Sequence, residues 1–218
     1  MRKILFILSA AFLALTARGN TIVFSDLGPG DTYDQGSGYG VVGGGADIAA
    51  EFTAGASGDL ANIDLGLTFS AGVSGPVNVF LYGDASGTPD NANQTLLGSG
   101  TPTVAFGTTN NSLVSFAVAG TVPVTMGTTY WLVLKPAAAT GFDVWNLSSP
   151  ATPGSVDTSA DHATWTGVGP AAILPAFRIT ASGEAGVPDS GATFLLMLGS
   201  LAALLALHRM LPRQQASR

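Results

Sequence analysis

Between its two apolar ends this 218-residue chain carries one histidine, His162, directly after Asp161 in the segment SADHATW. An Asp–His pair is the part of a nucleophilic hydrolase that activates a serine. On a strand, however, adjacent side chains leave opposite faces, so Asp161 is badly placed to orient the His162 ring, and no G-x-S-x-G elbow supplies the nucleophile. His162 is therefore expected at the surface. One histidine and no cysteine also leave zinc without its usual ligands. Carboxylates are the remaining resource: Asp31 with Asp34, Asp84 with Asp90, and Asp157 with Asp161 each share a loop. Two carboxylates are all a glycosidase requires, and oxygen ligands on an acidic chain suit Ca²⁺, for which Asp84 and Asp90 are the candidates. The same residue type closes Asx-turns among Gly, Ser and Thr, GDASGTPDN lacks the EF-hand spacing, and no pair reads as an acid/base couple. No catalytic residue is assigned. Trp145 and Trp165, in short runs flanked by polar residues, are the candidates for stacking against a sugar, whereas Trp131 inside TYWLVL reads as core. Residues 38–43 match G-x-G-x-x-G, but no βαβ context surrounds them in a chain with 29 glycines, so they read as loop and not as a nucleotide site.

These residues must be positioned by strands. Short β-branched and aromatic runs alternate with Gly, Ser, Thr and Pro at fairly even spacing, and no helical periodicity interrupts them. In NIDLGLTFS, Ile63, Leu65, Leu67 and Phe69 alternate with polar or small residues, which predicts one strand over 62–70 with a single apolar face. PVNVFLY and SLVSFAV repeat the pattern, and TYWLVLK, apolar on both faces, predicts a central strand covered on both sides. Weaker strand signals lie at 21–24, 48–53, 95–99, 142–147, 163–166 and 176–180, while 28–45 and 83–94 read as loops. About ten strands without crossover helices must pair mostly antiparallel, so the expected fold class is an all-β, two-sheet, jelly-roll-like sandwich.

The ends differ in kind. Residues 1–19 read as a secretory signal peptide, with Arg2 and Lys3 before an apolar core and Ala17 and Gly19 at the small-residue positions of a cleavage site. Of the eight bases only Lys135 and Arg178 lie between Asn20 and Gly191, against all fourteen acids, so this interval carries −12 where the whole chain carries −6. Such a surface repels nucleic acid. The absence of cysteine excludes a disulfide framework, leaving the core of residues 20–182 to hold the exported domain together. After a linker, 183–191, sixteen uncharged residues from Ala192 to Leu207 span about 24 Å as a helix, short of a ~30 Å hydrocarbon core. Extension to Leu211, with His208 and Arg209 snorkelling, completes a transmembrane helix over 192–211. Arg209, Arg213 and Arg218 flank it, and with the basic tail 212–218 they favour a cytoplasmic C-terminus and a domain facing the periplasm or exterior.

Two resemblances follow from these residues. LGPGDTYDQGSGYGVVGG, LANIDLGLTFS, VNVFLYGDASGTPD and MGTTYWLVLKP together resemble the choice-of-anchor R type of bacterial extracellular domain, over roughly residues 22–180. That family implies an all-β surface domain joined to varied C-terminal anchors, and no established catalytic activity. A turn motif, an apolar helix and an Arg-bearing tail resemble the PEP-CTERM sorting signals. Val187, Pro188, Asp189, Ser190 and Gly191 match the VPDSG-CTERM variant at all five positions. The resemblance implies an exosortase partner that removes the tail and passes the domain to the cell surface or extracellular matrix. Pro188, lacking an N–H, and Gly191 suit an extended, accessible site there. Two functions stay open: a non-catalytic, exosortase-sorted envelope or matrix protein associated with exopolysaccharide, and a carbohydrate-binding module or weak glycoside hydrolase built on a Ca²⁺-assisted jelly roll. The first requires no cofactor.

Overall fold

The computed structural model describes residues 19–183, apart from 44, 71–73, 110, 138–140, 170 and 171. In chain order the strands are β1 (Asn20–Ser25), β2 (Tyr33–Val42), β3 (Asp47–Thr53), β4 (Gly58–Leu65), β5 (Leu67–Phe69), β6 (Val77–Asp84), β7 (Pro89–Gly100) and β8 (Val114–Ala117). They continue with β9 (Pro123–Val124), β10 (Thr129–Pro136), β11 (Phe142–Ser148), β12 (Pro153–Gly154), β13 (Val156–Ser159), β14 (Thr166–Gly167), β15 (Ala172–Ile173) and β16 (Phe177–Gly183). There is no helix among the described residues, and every pairing between these strands is antiparallel. The all-β, sandwich-like expectation holds.

The pairings are divided more finely than into two sheets. One sheet runs β1-β16-β4-β8 with β9 also on β4, and a second runs β14-β13-β3-β10-β6-β7. Two smaller ones, β2-β11-β5 and β12-β15, account for the rest. The division of the predicted strand over 62–70 explains the third sheet. Gly66 interrupts it, so that β4 pairs with β16 while β5 turns to β11. A Cβ at Gly66 would stand 3.0 Å from the Tyr33 ring and 3.1 Å from Ala176, tighter than side chains normally pack, which is why the corner is made at a glycine.

Ile63 and Ile179 of the first sheet, Ile48, Val79 and Leu132 of the second and Trp145 of the third belong to one buried cluster. Phe177 is its junction. Its ring stacks on Phe24 at 4.7 Å, meets Phe52 edge-on at 5.9 Å and tilts against Trp145 at 5.6 Å, so it touches all three sheets. β10 lies between β3 and β6, and its residues Trp131 to Leu134 are buried on both faces, as its composition predicts. Its second face is covered by a small cluster of Ala49, Tyr82, Trp131 and Val133, over which Trp165 packs.

The glycine-rich segment read as a loop is largely β2. Gly38 pairs with Asn146 on β11, and a Cβ there would lie 2.6 Å from the Trp145 carbonyl and collide with the Val144 side chain. Its glycine serves close strand approach, not phosphate binding. Gly36, with only Asp34 Oδ1 at 3.5 Å, has room. Accordingly Gly38→Ala is expected to lower stability by about 2 kcal/mol in urea unfolding and Gly36→Ala to change it far less; equal effects would contradict this packing.

Several acids are buried in this core. Asp26 accepts the Phe177 N–H at 2.7 Å, yet burial outweighs that bond and pushes its pKa up to about 7. Burial likewise raises Asp143 to about 6, against a bond from the Gly75 N–H. A carboxyl whose folded pKa is raised binds its proton more tightly in the native state, so its contribution is fully present below pH ~4 and is lost as pH rises toward 7. Exposed Asp161 works in the opposite direction below pH ~4. Melting temperature is therefore expected to peak at mildly acidic pH and to fall by several degrees from pH 5 to pH 8. In Asp26→Asn that decline should flatten, and a wild-type curve rising through pH 7 would refute the assignment.

Candidate functional site

The most connected polar group lies on the outer face of the second sheet, where β13 ends. Ser159 is the last residue of β13 to pair with β3, opposite Asp47. The chain then turns around the Asp161 carboxylate, which accepts bonds from the Thr164 N–H at 2.6 Å, the Ala163 N–H at 2.9 Å, the Thr164 hydroxyl at 2.7 Å and the Ser159 hydroxyl at 3.0 Å. These donors, the Thr164 N–H foremost, hold Asp161 below the usual carboxylate range. Within this turn His162 takes a left-handed backbone, φ 64°.

That conformation brings the His162 ring to Asp47. Nδ1 lies 2.8 and 2.9 Å from the two carboxylate oxygens, and because an ionised carboxylate only accepts, Nδ1 carries the donated proton. Asp47 has no exposed side-chain surface; Lys135 Nζ also approaches its Oδ2, at 3.4 Å. The ammonium also stands 5.5 Å from the Phe80 ring centre and 5.4 Å from that of Tyr82, and donates to the His162 carbonyl at 3.5 Å. A buried acid orienting a half-exposed imidazole is two-thirds of a hydrolytic triad. Among the described residues no Ser, Thr or Tyr hydroxyl is hydrogen-bonded to His162; the contacts that are made form a clasp, fastening the turn after β13 to β3 and β10.

His162 is at the surface as expected, its side chain 50% exposed, and it is anchored there by Asp47. Asp47, 115 residues earlier, was not among the candidates, and only its place beside Ile48 at the start of a strand hinted at burial. The expected strand over 163–166 is mostly this turn, with β14 confined to Thr166 and Gly167.

The aromatic candidates do not form a platform. Trp145 has no exposed surface, and its indole N–H donates to the Ala176 carbonyl at 3.0 Å, so it presents no face to a sugar. Trp165 is partly exposed but pinned, edge-on to Tyr82 at 6.0 Å and bonded through Nε1 to Asn91 Oδ1 at 3.0 Å. Nor do Asp84 and Asp90 converge on a cation. In the β6-β7 hairpin Asp84 stands opposite Pro89 and Asp90 opposite Gly83, which puts the two carboxylates on opposite faces. Asp84 Oδ1 accepts from the Trp131 indole and the Gly87 N–H, both at 3.0 Å, and Asp90 Oδ1 from the Ala92 N–H at 3.0 Å. Among the described residues no three of His, Asp and Glu are grouped to hold a metal. Asp31 is engaged by Arg178 at 2.6 Å and Asp34 by the Gly36 N–H at 2.9 Å.

A concavity of about 550 Å³ is lined by Asp34, Gln35, Thr108, Asn111 and Ser149 among others. Gln35 donates to Asn111 Oδ1 at 2.6 Å and accepts from Thr108 at 3.3 Å, so its amide is spent internally. The motif 187–191, the apolar segment 192–211 and Arg209, Arg213 and Arg218 lie outside the described residues, within which no helix is long and apolar enough to cross a membrane. Neither a family model nor a curated protein matches the chain.

The clasp predicts coupling. Lys135→Met or His162→Ala alone leaves Asp47 one cationic or donor partner, and each is expected to cost about 1 kcal/mol. The double variant leaves a buried carboxylate alone and should cost about 4 kcal/mol. Additive losses in urea unfolding would show that the two side chains do not share Asp47.

Proposed function

We propose that the protein is a non-catalytic exported envelope or extracellular-matrix protein, sorted by an exosortase through Val187–Gly191 and associated with exopolysaccharide. The reading rests on one observation, the succession of VPDSG, an uncharged helix-length segment and Arg209, Arg213 and Arg218, behind a chain that opens with a signal peptide pattern. Within it, the two larger sheets serve as the layers of a jelly-roll-like domain of the choice-of-anchor R kind, displayed on the far side of the membrane.

Two features of the β domain support this assignment. β16 ends at Gly183, and only Glu184, Ala185 and Gly186 separate it from Val187, so a protease acting at the motif need not disturb a strand. In addition, the sole imidazole of the domain is committed to Asp47 and has no hydroxyl partner among the described residues, which favours a structural over a hydrolytic role. The carbohydrate-binding alternative loses Trp145 as a carrier.

Mass spectrometry of the mature protein from cells with and without the exosortase tests the proposal. The expected C-terminus in exosortase-positive cells lies within or next to Val187–Gly191, with all three tail arginines lost. A C-terminus still at Arg218 in those cells would refute sorting.

A further inference from the structure

Another concavity, of about 590 Å³, opens on the outer face of the second sheet and is walled by four glycines, 87, 154, 167 and 169, with Pro153, Ser155 and Val156 around Asp157. With four glycines in its wall, few side chains stand between the cleft and the main chain. Asp157 is the one acid in its lining. It is only 5% exposed, and its Oδ2 is buried with no hydrogen-bond partner. An unpartnered buried carboxylate oxygen is costly and calls for a counter-charge.

A second carboxylate stands beside it. Asp157 pairs with Ala49, and Glu51, two residues along the same strand, shares that face as a diagonal neighbour of Asp157. The Glu51 N–H donates to the Ser155 carbonyl at 3.0 Å, which keeps the two strands in register at this point. Burial raises the pKa of Asp157, and the Glu51 charge raises it further. Among the described residues there is no base to spare here. Lys135 is held by Asp47, and Arg178 by Asp31 and Asp64. Neutralisation comes from solvent, as a proton or as a cation, and the oxygen-bearing residues at hand are Asp157 and Ser155 in the lining and Glu51 beside it, outside the lining. Such a set suits a hard cation.

We propose that this cleft is a divalent-cation site, with Asp157 and Glu51 as its side-chain ligands and Ca²⁺ as the fitting ion. Gly87 in the turn of the Asp84–Asp90 hairpin contributes to its wall, but neither Asp84 nor Asp90 lines it, and the site does not depend on exosortase sorting. Trp131 lies directly opposite Glu51 in the register and provides an optical reporter.

The test is terbium luminescence, excited through tryptophan, of the full-length protein purified in detergent and stripped with a chelator. Expected are a saturable signal at one ion per chain, displacement by Ca²⁺ at or below about 1 mM, the weak end for extracellular modules, and at least tenfold weaker binding in Asp157→Asn. Asp90→Asn should bind as wild type. Glu51→Gln, on a partly exposed residue, should also weaken binding, and it keeps the test decisive if Asp157→Asn fails to fold. Absence of a saturable signal, or wild-type affinity in Glu51→Gln and in a folded Asp157→Asn, overturns the site.

Discussion

Three of the four sheets meet on one ring. Phe177 begins β16, the strand between β1 and β4, and its contacts with Phe24, Phe52 and Trp145 join the two larger sheets to the three-stranded one. Its backbone is fixed as firmly as its ring: the N–H donates to Asp26 Oδ1, the carbonyl accepts from the Asp26 N–H, and the residue pairs with Leu65. Because Leu65 immediately precedes the Gly66 corner, the position of Phe177 also determines where β4 ends and β5 departs. Without cysteine, a buried aromatic junction of this kind is how the domain ties its layers together.

Positive charge is the scarce material. Among the described residues Lys135 and Arg178 are the only lysine and arginine, and each holds parts of the chain that are far apart in sequence. Arg178 grips Asp64 on the adjacent strand at 2.7 Å and Asp31 before β2 at 2.6 Å. Lys135 shares buried Asp47 with His162. The remaining buried acids, Asp26, Asp143 and Asp157, have no basic partner, and burial drives the pKa of each upward. An acidic surface thus coexists with an interior in which these three carboxyls resist ionisation.

What was legible in the sequence was local periodicity. The doubly apolar β10 and the alternating β6 appear where their residues predict them, because one strand's covering is written in its own side chains. What was hidden depended on partners. β2 reads as a loop since its glycines lack side chains, and only the nearness of Val144 and Trp145 on β11 explains why glycine is needed at 38. Trp145 itself looked exposed because Asp143, Asn146 and Ser148 surround it. All three are buried, and the Asn146 amide is satisfied by the Gly66 carbonyl and Thr68, so polar neighbours here mark an internal network, not a wet face. Likewise a histidine can be judged from its neighbour Asp161, but its true partner came from a strand 115 residues away.

The place of β16 has a mechanical side. It is antiparallel to β1 and β4 at once, with Asn20 opposite Ser182 and Gly58 opposite Gly183, so the first strand of the domain begins where the last one leaves. If the domain is tethered through its C-terminus, a pull on that tether runs lengthwise along β16. The hydrogen bonds on both its edges are then loaded in parallel, in shear, and must fail together instead of peeling one at a time. A strand so held would resist a load applied at one end of the domain.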